Sequence, residues 1–491
     1  LPISLITNWV NRLNKFPIGE KLAEDGKQIF EYKKLKGFMD LSIELMLEEK
    51  NSAILNYALK VISGKYLGEN SKNYYTNVAA VGNNICYRGV KDGRRIKLKI
   101  AYEPTLFLRS NKTTKFKSLE GVYLEPMKFE SMREARDFVK RYDEVQGFEI
   151  YGNSSHQYAF IADEQKGMVE WSMEELSIAI IDIEVGSENG FPDPYLANEP
   201  VTAIAVRQLN GGTTVYGCGD YINNDETVTY HKCRDEYELC KKFLSDWNTN
   251  PPDVISGWNI KFFDIPYLVN RIAKLFGVDK ARRMSPWGMI NERRITKMGR
   301  EQQSYELTGI AQLDYLELFK KFGYSYGAQE SYKLDHIAHV VLDERKLSYD
   351  EYTDLHSLYK NDYQKFIDYN IKDVELIDRL EDKMGLITLA LTMAYRGGVN
   401  FEDCLGTTGI WDSIIYRLLN KQKIAVPYKE EKPKSDYAGG YVKEPKVGLH
   451  NWVTSFDLNS LYPMIIVQYN MSPETVINGL VDTDVERMLR K

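Results

Sequence analysis

The stretch Leu176-Ser177-Ile178-Ala179-Ile180-Ile181-Asp182-Ile183-Glu184-Val185 decides how this chain is read. Its first part is apolar and β-branched enough for a central strand. Asp182 and Glu184 then follow one residue apart, and the two-residue strand period puts both on one face. Two same-face carboxylates ending a central strand are unfavourable unless something positive lies between them. A divalent metal is the usual solution, because hard cations take oxygen ligands. A strand end that turns both carboxylates to water is the alternative.

On the C-terminal side, residues 202–207 and 213–216 flank Asn210-Gly211-Gly212 and read as a hairpin. Helical patterns follow at 235–246, 264–276 and 361–385, with strands near 253–257 and 309–314. Strands alternating with helices predict an α/β domain with a mixed sheet over roughly 176–385. Two further elements stand inside it. In Gly257-Trp258-Asn259-Ile260-Lys261-Phe262-Phe263-Asp264-Ile265-Pro266, Asp264 either caps the following helix or serves as a third acidic ligand. Asn259 either reaches a substrate or orients the Asp264 region. In Tyr369-Asn370-Ile371-Lys372-Asp373, residues four apart share a helix face, so the Tyr369 hydroxyl and the Asp373 carboxylate can enter one site. A solvent-facing helix is the plainer reading. Together the three elements suit two-metal phosphodiester hydrolysis, with tyrosine orienting the attacking water.

On the N-terminal side, alternating stretches over 78–110, punctuated by Asn83-Asn84 and Asp92-Gly93, predict antiparallel hairpins. A polar loop is expected at 68–77, a helix at 131–142 and a strand at 157–162. Helical spacing also runs from about 30 to 64, without evident chemistry. The 491 residues suffice for roughly three domains at ~150 residues each, which excludes a small binding module. The net charge of −6 argues against a protein that coats nucleic acid non-specifically, yet leaves room for a nucleic-acid enzyme. Five cysteines without a CxxC pair argue for a reducing compartment and against a zinc knuckle. No signal-peptide pattern or transmembrane run is present.

Toward the C-terminus, a helix is expected at 408–420 and loops at 427–445. A strand at 452–458 then enters a helix at 460–469. Asp457 at that strand exit is a metal-ligand candidate, and the amides of Leu458 to Leu461 can cradle phosphates. Tyr462 either packs beneath a sugar ring or fills a core. In Tyr437-Ala438-Gly439-Gly440 the glycines permit close backbone approach to a ligand, or simply a turn. One carboxylate does not make a two-metal polymerase site, and the acidic residues that follow lack a strand and turn to aim them at Asp457. Between 280 and 300 lie Lys280, Arg282, Arg283, Arg293, Arg294, Lys297 and Arg300 against Glu292 alone, a basic strip or a solvated face. Phe262-Phe263 and Tyr324-Ser325-Tyr326 can stack bases of a frayed strand, or pack in a core.

With these motifs in order, the chain resembles the N-terminal half of a family B replicative DNA polymerase of the T4-like bacteriophage type. The signatures are Asp182-Ile183-Glu184, the run 257–266, Tyr369 to Asp373, Tyr437 to Gly440, and Asp457 to Pro463. The resemblance implies an RNase H-like 3'-5' exonuclease at 177–385 that edits primer ends. It implies a discontinuous N-terminal domain at 75–176 and 386–428, and a partial palm at 429–491. Residues 1–74 are a helical extension without a counterpart. By the same resemblance Asp182, Glu184, Asp264 and Asp373 bind two divalent cations, Mg²⁺ or Mn²⁺, and Tyr369 positions the water. Asn259, Phe263, Arg293, Arg294, Lys297, Tyr437, Gly439 and Gly440 contact DNA. Asp457 is a palm aspartate and Leu458 a carbonyl metal ligand, while Ser460, Leu461 and the sugar-gate Tyr462 serve the incoming nucleotide. The implied partners are primer-template DNA, single-stranded 3' ends, a C-terminal polymerase fragment, a sliding clamp and a single-stranded DNA-binding protein, without a membrane, in the cytoplasm of an infected bacterium. The fingers, second palm motif and thumb are missing, so polymerisation by this chain alone is not expected. A non-catalytic DNA-binding or scaffolding subunit of a split polymerase is the alternative.

Overall fold

The computed structural model describes residues 73–142, 145–167, 169–188, 190, 192–297, 300–428, 443–472 and 475. Two compact units divide the chain, Leu1–Lys429 and Glu430–Lys491. The expected helices at 30–64 and the segment 437–440 lie outside the described residues.

The first unit opens with a three-stranded antiparallel meander, β1 (Asn73–Val81), β2 (Asn84–Lys91) and β3 (Arg94–Ala101). Asp92 and Gly93 both take positive φ, 52° and 71°, which turns β2 tightly into β3. β1 begins inside the stretch read as a polar loop. Tyr74 and Tyr75 are fully buried there, and the Tyr75 hydroxyl donates to the Val399 carbonyl (2.8 Å). A distant partner buries these tyrosines, and local polarity could not reveal it.

A four-stranded sheet follows, from β4 (Thr105–Arg109), β5 (Phe116–Lys117), β6 (Tyr123–Lys128) and β7 (Ile150–Tyr151), with helix α1 (Met132–Tyr142) before β7. Residues 157–162, expected as a strand, lie within helix α2 (His156–Glu164). A short apolar run has no diagnostic period. Here Phe160 meets Tyr87 and Tyr102 edge-on, and Ala159, Ile161 and Ala162 are buried as well.

The central sheet contains β8 (Ile178–Val185), β9 (Val201–Gln208), β10 (Thr213–Gly217), β11 (Val228–Lys232), β12 (Val254–Ser256) and a late strand at 311–312, in the order β11-β10-β9-β8-β12-late strand. β8 runs antiparallel to β9 and parallel to β12, so the sheet is mixed. Its helices are α3 (Glu236–Thr249) and α4 (Asp264–Phe276), then the short α5 (Val278–Ala281). The hairpin β13 (Ile290–Lys297) and β14 (Arg300–Leu307) precedes the late strand, β15 (Ala311–Gln312). There follow α6 (Tyr315–Phe322), α7 (Leu334–Leu342), α8 (Leu355–Asn361), α9 (Tyr363–Met384), α10 (Leu386–Gly397) and α11 (Thr408–Lys421).

The alternation along β8 sorts two cores. Ile178 and Ile180 pack with Phe366, Ile367 and Ile371 of α9. Ala179, Ile181 and Ile183 pack with Leu239 and Phe243 of α3 and Leu268 and Ile272 of α4. Even-numbered residues of β8 therefore face α9, and odd-numbered ones face α3 and α4. This is the mixed α/β, RNase H-like arrangement expected from the sequence, with a separate N-terminal region.

The second unit holds one helix among its described residues, α12 (Leu461–Gln468). The strand expected at 452–458 does not form. Trp452 and Phe456 are exposed, and no described strand lies beside them to take their backbone hydrogen bonds. An apolar alternating run becomes a strand only with a neighbour. No helix among the described residues is long and apolar enough to cross a membrane.

Candidate metal and nuclease site

Even parity along β8 turns Asp182 and Glu184 toward α9, where Asp373 projects back at them. Ligand oxygens of Asp182, Glu184 and Asp373 lie within 4.8 Å of one another, with Glu184 and Asp373 buried and Asp182 less so. It is the one such group among the described residues. Asp264, the first residue of α4, is buried nearby, and its Oδ1 accepts the Ile183 N–H (3.0 Å). That bond ties the carboxylate to the backbone between Asp182 and Glu184, and leaves it outside the three-residue group.

The electrostatics follow from this crowding. Burial, and after it the charges of Asp373, Glu184 and Asp264, push Asp182 well above the usual carboxylate range. Glu184 is pushed up to about 8 by burial first and Asp373 second. Asp264 is pushed up to about 7 by burial, against the opposing pull of the Ile183 N–H. Asp373 is raised by burial, with Lys346 opposing. Such a cluster cannot be fully ionised near neutral pH without added positive charge.

Lys346 supplies part of it. Its Nζ donates to Asp373 Oδ2 and to the Tyr369 hydroxyl (3.0 Å), and it stands 4.9 Å from the centre of the Tyr369 ring. Burial, and after it the charge of Asp373, hold the Tyr369 phenol in its protonated form. Asn370, wholly buried, donates from Nδ2 to Asp182 Oδ2 (2.7 Å). Asp373 Oδ1 is buried with no hydrogen-bond partner. That orphaned oxygen, beside three hard oxygen donors, fits a divalent cation.

Sequence reading missed Lys346, which lies in a loop 23 residues before Tyr369 with no periodic relation to it. Asn370 carried a signal, a polar residue on the apolar side of an amphipathic helix. Asn259 has a positive φ of 65°, and its N–H donates to Asp314 Oδ1 (3.1 Å). Asparagine tolerates this conformation, so its residue type has a backbone reason as well. Phe263 is half-buried beside Tyr267 (centroids 5.8 Å apart).

The basic strip is less bare than its sequence. Arg293 pairs with Glu306 across the β13–β14 hairpin (2.6 Å), Arg294 with Glu292 (3.0 Å) and Arg282 with Asp279 (3.1 Å). Lys297 ends β13, paired in register with Arg300. In the second unit Asp457, Leu458 and Tyr462 are exposed, and Asp457 follows a coil rather than a strand. Ser460, with a φ of 53°, immediately precedes α12, which starts at Leu461.

The exonuclease-domain model of DNA polymerase family B matches residues 136–337, and the DNA polymerase family B model matches 408–488. The chain matches the family B DNA polymerases. It is 31% identical over 434 residues to the DNA-directed DNA polymerase of Escherichia phage RB69, covering 82% of this chain and 48% of that protein. Against the DNA-directed DNA polymerase of Enterobacteria phage T4 the identity is 30%, with 82% and 47% covered. The DNA polymerase delta catalytic subunit of Drosophila melanogaster is 29% identical, with 65% and 30% covered. The chain thus spans about half the length of these phage relatives. The three-carboxylate group draws Asp182 and Glu184 from inside the exonuclease match and Asp373 from beyond its end.

Proposed function

We propose that the chain is the proofreading part of a replicative DNA polymerase and hydrolyses phosphodiester bonds at DNA 3' ends. The observation that carries this reading is the convergence of the Asp182, Glu184 and Asp373 oxygens on one seam of the sheet, in a chain matched by the family B exonuclease model. Two divalent cations, Mg²⁺ or Mn²⁺, fit the donor set once Asp264 is added as a fourth carboxylate. When bound, such ions supply charge stabilisation at the scissile phosphate and make water more acidic.

The chain's own residues do the rest. The Tyr369 hydroxyl oxygen accepts a hydrogen bond from Lys346 and keeps its own O–H to orient a water molecule. Lys346 offsets one carboxylate charge, and Asn370 fixes the Asp182 carboxylate. Asn259, Phe263, Arg293, Arg294 and Lys297 are read as contacts to a single-stranded primer end and its template. Residues 75–176 and 386–428 are read as two segments of one N-terminal domain, supported by the bond of Asn400 Oδ1 with the Val78 N–H (2.9 Å). The segment around Asp457, Leu458, Ser460, Leu461 and Tyr462, with Tyr437, Gly439 and Gly440, is read as the first palm motif and its approach. A C-terminal polymerase part completes it, with a sliding clamp and single-stranded DNA-binding protein as partners in an infected bacterial cytoplasm.

The test is release of mononucleotides from a 3'-labelled single strand with Mg²⁺ by the full chain. Asp182→Ala and Glu184→Ala should each slow release by about 10²-fold or more. Wild-type rates in both variants, or no release by the unaltered chain, would sink the reading.

A further inference from the structure

The sheet face opposite the carboxylates carries a groove of about 490 Å³ between α3 and the end of α4, with α5 and the turn after it. Tyr237, Lys241, Ser245 and Asn248 recur at helical spacing along α3 and line one wall. Phe276, Lys280 and Arg283 line the other. The Tyr237 and Phe276 rings meet with centroids 4.5 Å apart, and Tyr237 remains half exposed.

No carboxylate lines this groove. The acids nearby are engaged elsewhere: Glu238 with Arg234, Asp279 with Arg282, and Asp246 with the Tyr216 hydroxyl. Lys241, Lys280 and Arg283 are exposed and make no ion pair with a carboxylate of the described residues. Three cations thus converge on an aromatic pair in a chain whose net charge is −6. The sheet and its α3–α4 layer separate them from Asp182 and Glu184.

We propose that this groove binds a single-stranded stretch of nucleic acid, apart from the nuclease site. Lys241, Lys280 and Arg283 meet neighbouring phosphates, and the exposed side of the Tyr237–Phe276 pair takes a stacked base. A volume of about 490 Å³ suits one base with its flanking phosphates. An acidic peptide would satisfy the cations but leave the aromatic wall without a stacking partner. The contacts position a strand without reading its sequence, because they meet phosphates and a base face rather than base edges.

The test measures anisotropy of a fluorescein-labelled dT 20-mer bound to the full chain in EDTA, so that binding is read without hydrolysis. The triple variant Lys241→Glu/Lys280→Glu/Arg283→Glu should bind about ten-fold more weakly and lower the salt slope by about two. Tyr237→Ala should weaken binding roughly five-fold. In the unaltered chain, a strand carrying 5-iodouracil should photocrosslink to Tyr237 or Phe276. Binding of a Mn²⁺ probe at the carboxylates should be the same in all variants, which shows that they fold. Unchanged anisotropy and slope in the triple variant would overturn the proposal, as would crosslinks confined to the carboxylate seam. Equal displacement of the strand by a poly-glutamate peptide would also overturn it, in favour of a protein ligand.

Discussion

Lys346 is the cation that draws down all four acids of the seam, Asp182, Glu184, Asp264 and Asp373. One ammonium does not balance them, and the residual repulsion has a thermodynamic consequence. Glu184 and Asp264 titrate higher in the fold than in the unfolded chain, about 8 against 4.5 and about 7 against 3.8. Their contribution to stability is therefore fully present below about pH 4 and is lost as pH rises through 7 to 8. A cation that binds the ionised form reverses the loss. The EDTA-treated chain should show a thermal midpoint that falls between pH 6 and 8.5, and Mn²⁺ should raise it more at pH 8.5 than at pH 6. Equal response at both values, measured by differential scanning fluorimetry, would count against a metal at this cluster. Residue types and strand parity made Asp182 and Glu184 legible, whereas Lys346 reaches the seam only through the path of a loop.

Among the elements, β12 and the turn after it show how a motif can serve packing as well as chemistry. A Cβ at Gly257 would lie 2.5 Å from the Ile181 carbonyl oxygen and 2.4 Å from Ile260 Cγ2. The backbone of β8 cannot withdraw without breaking its ladder, so glycine is required where β12 leaves the sheet. Gly257→Ala should cost about 2 kcal/mol or more in urea denaturation. It should also disturb Asp264, which the same turn carries toward Ile183. A change below 0.5 kcal/mol, read as roughly the scatter of neutral substitutions, would show that the turn relaxes freely. Long periodic helices such as α9 were readable within two residues of their ends, because the apolar period repeats over many turns. Shorter elements were not. α2 has the short apolar run of a strand, and 452–458 has a strand's pattern but no strand to pair with among the described residues.

For the whole first unit, Asp253 joins the N-terminal meander to the central sheet. It accepts the Thr76 hydroxyl (3.2 Å) and the Ser177 N–H (3.0 Å), and it pairs with Arg88 (3.1 Å) and Arg95 (3.0 Å). Arg88, buried in turn, donates to the Pro252 carbonyl (2.8 Å). Removing Arg88 leaves the buried Asp253 carboxylate with Arg95 as its one cation, so Arg88→Met should destabilise by about 2 kcal/mol. Arg88→Met/Asp253→Leu should destabilise by less than the sum of the two single changes in a double-mutant cycle. Simple additivity of the two single changes would show that the pair is not coupled. The sequence by itself determined the class of the sheet, the parity that puts Asp182 and Glu184 on one face, and the helix that carries Tyr369 and Asp373, because these depend on local period and residue type. Tertiary structure alone decided that Asp264 would hold the Ile183 N–H, that Lys346 would enter the seam, and that Tyr74 and Tyr75 would be core. Those outcomes rest on contacts between segments tens to hundreds of residues apart, and no local pattern records which distant group will meet a given side chain.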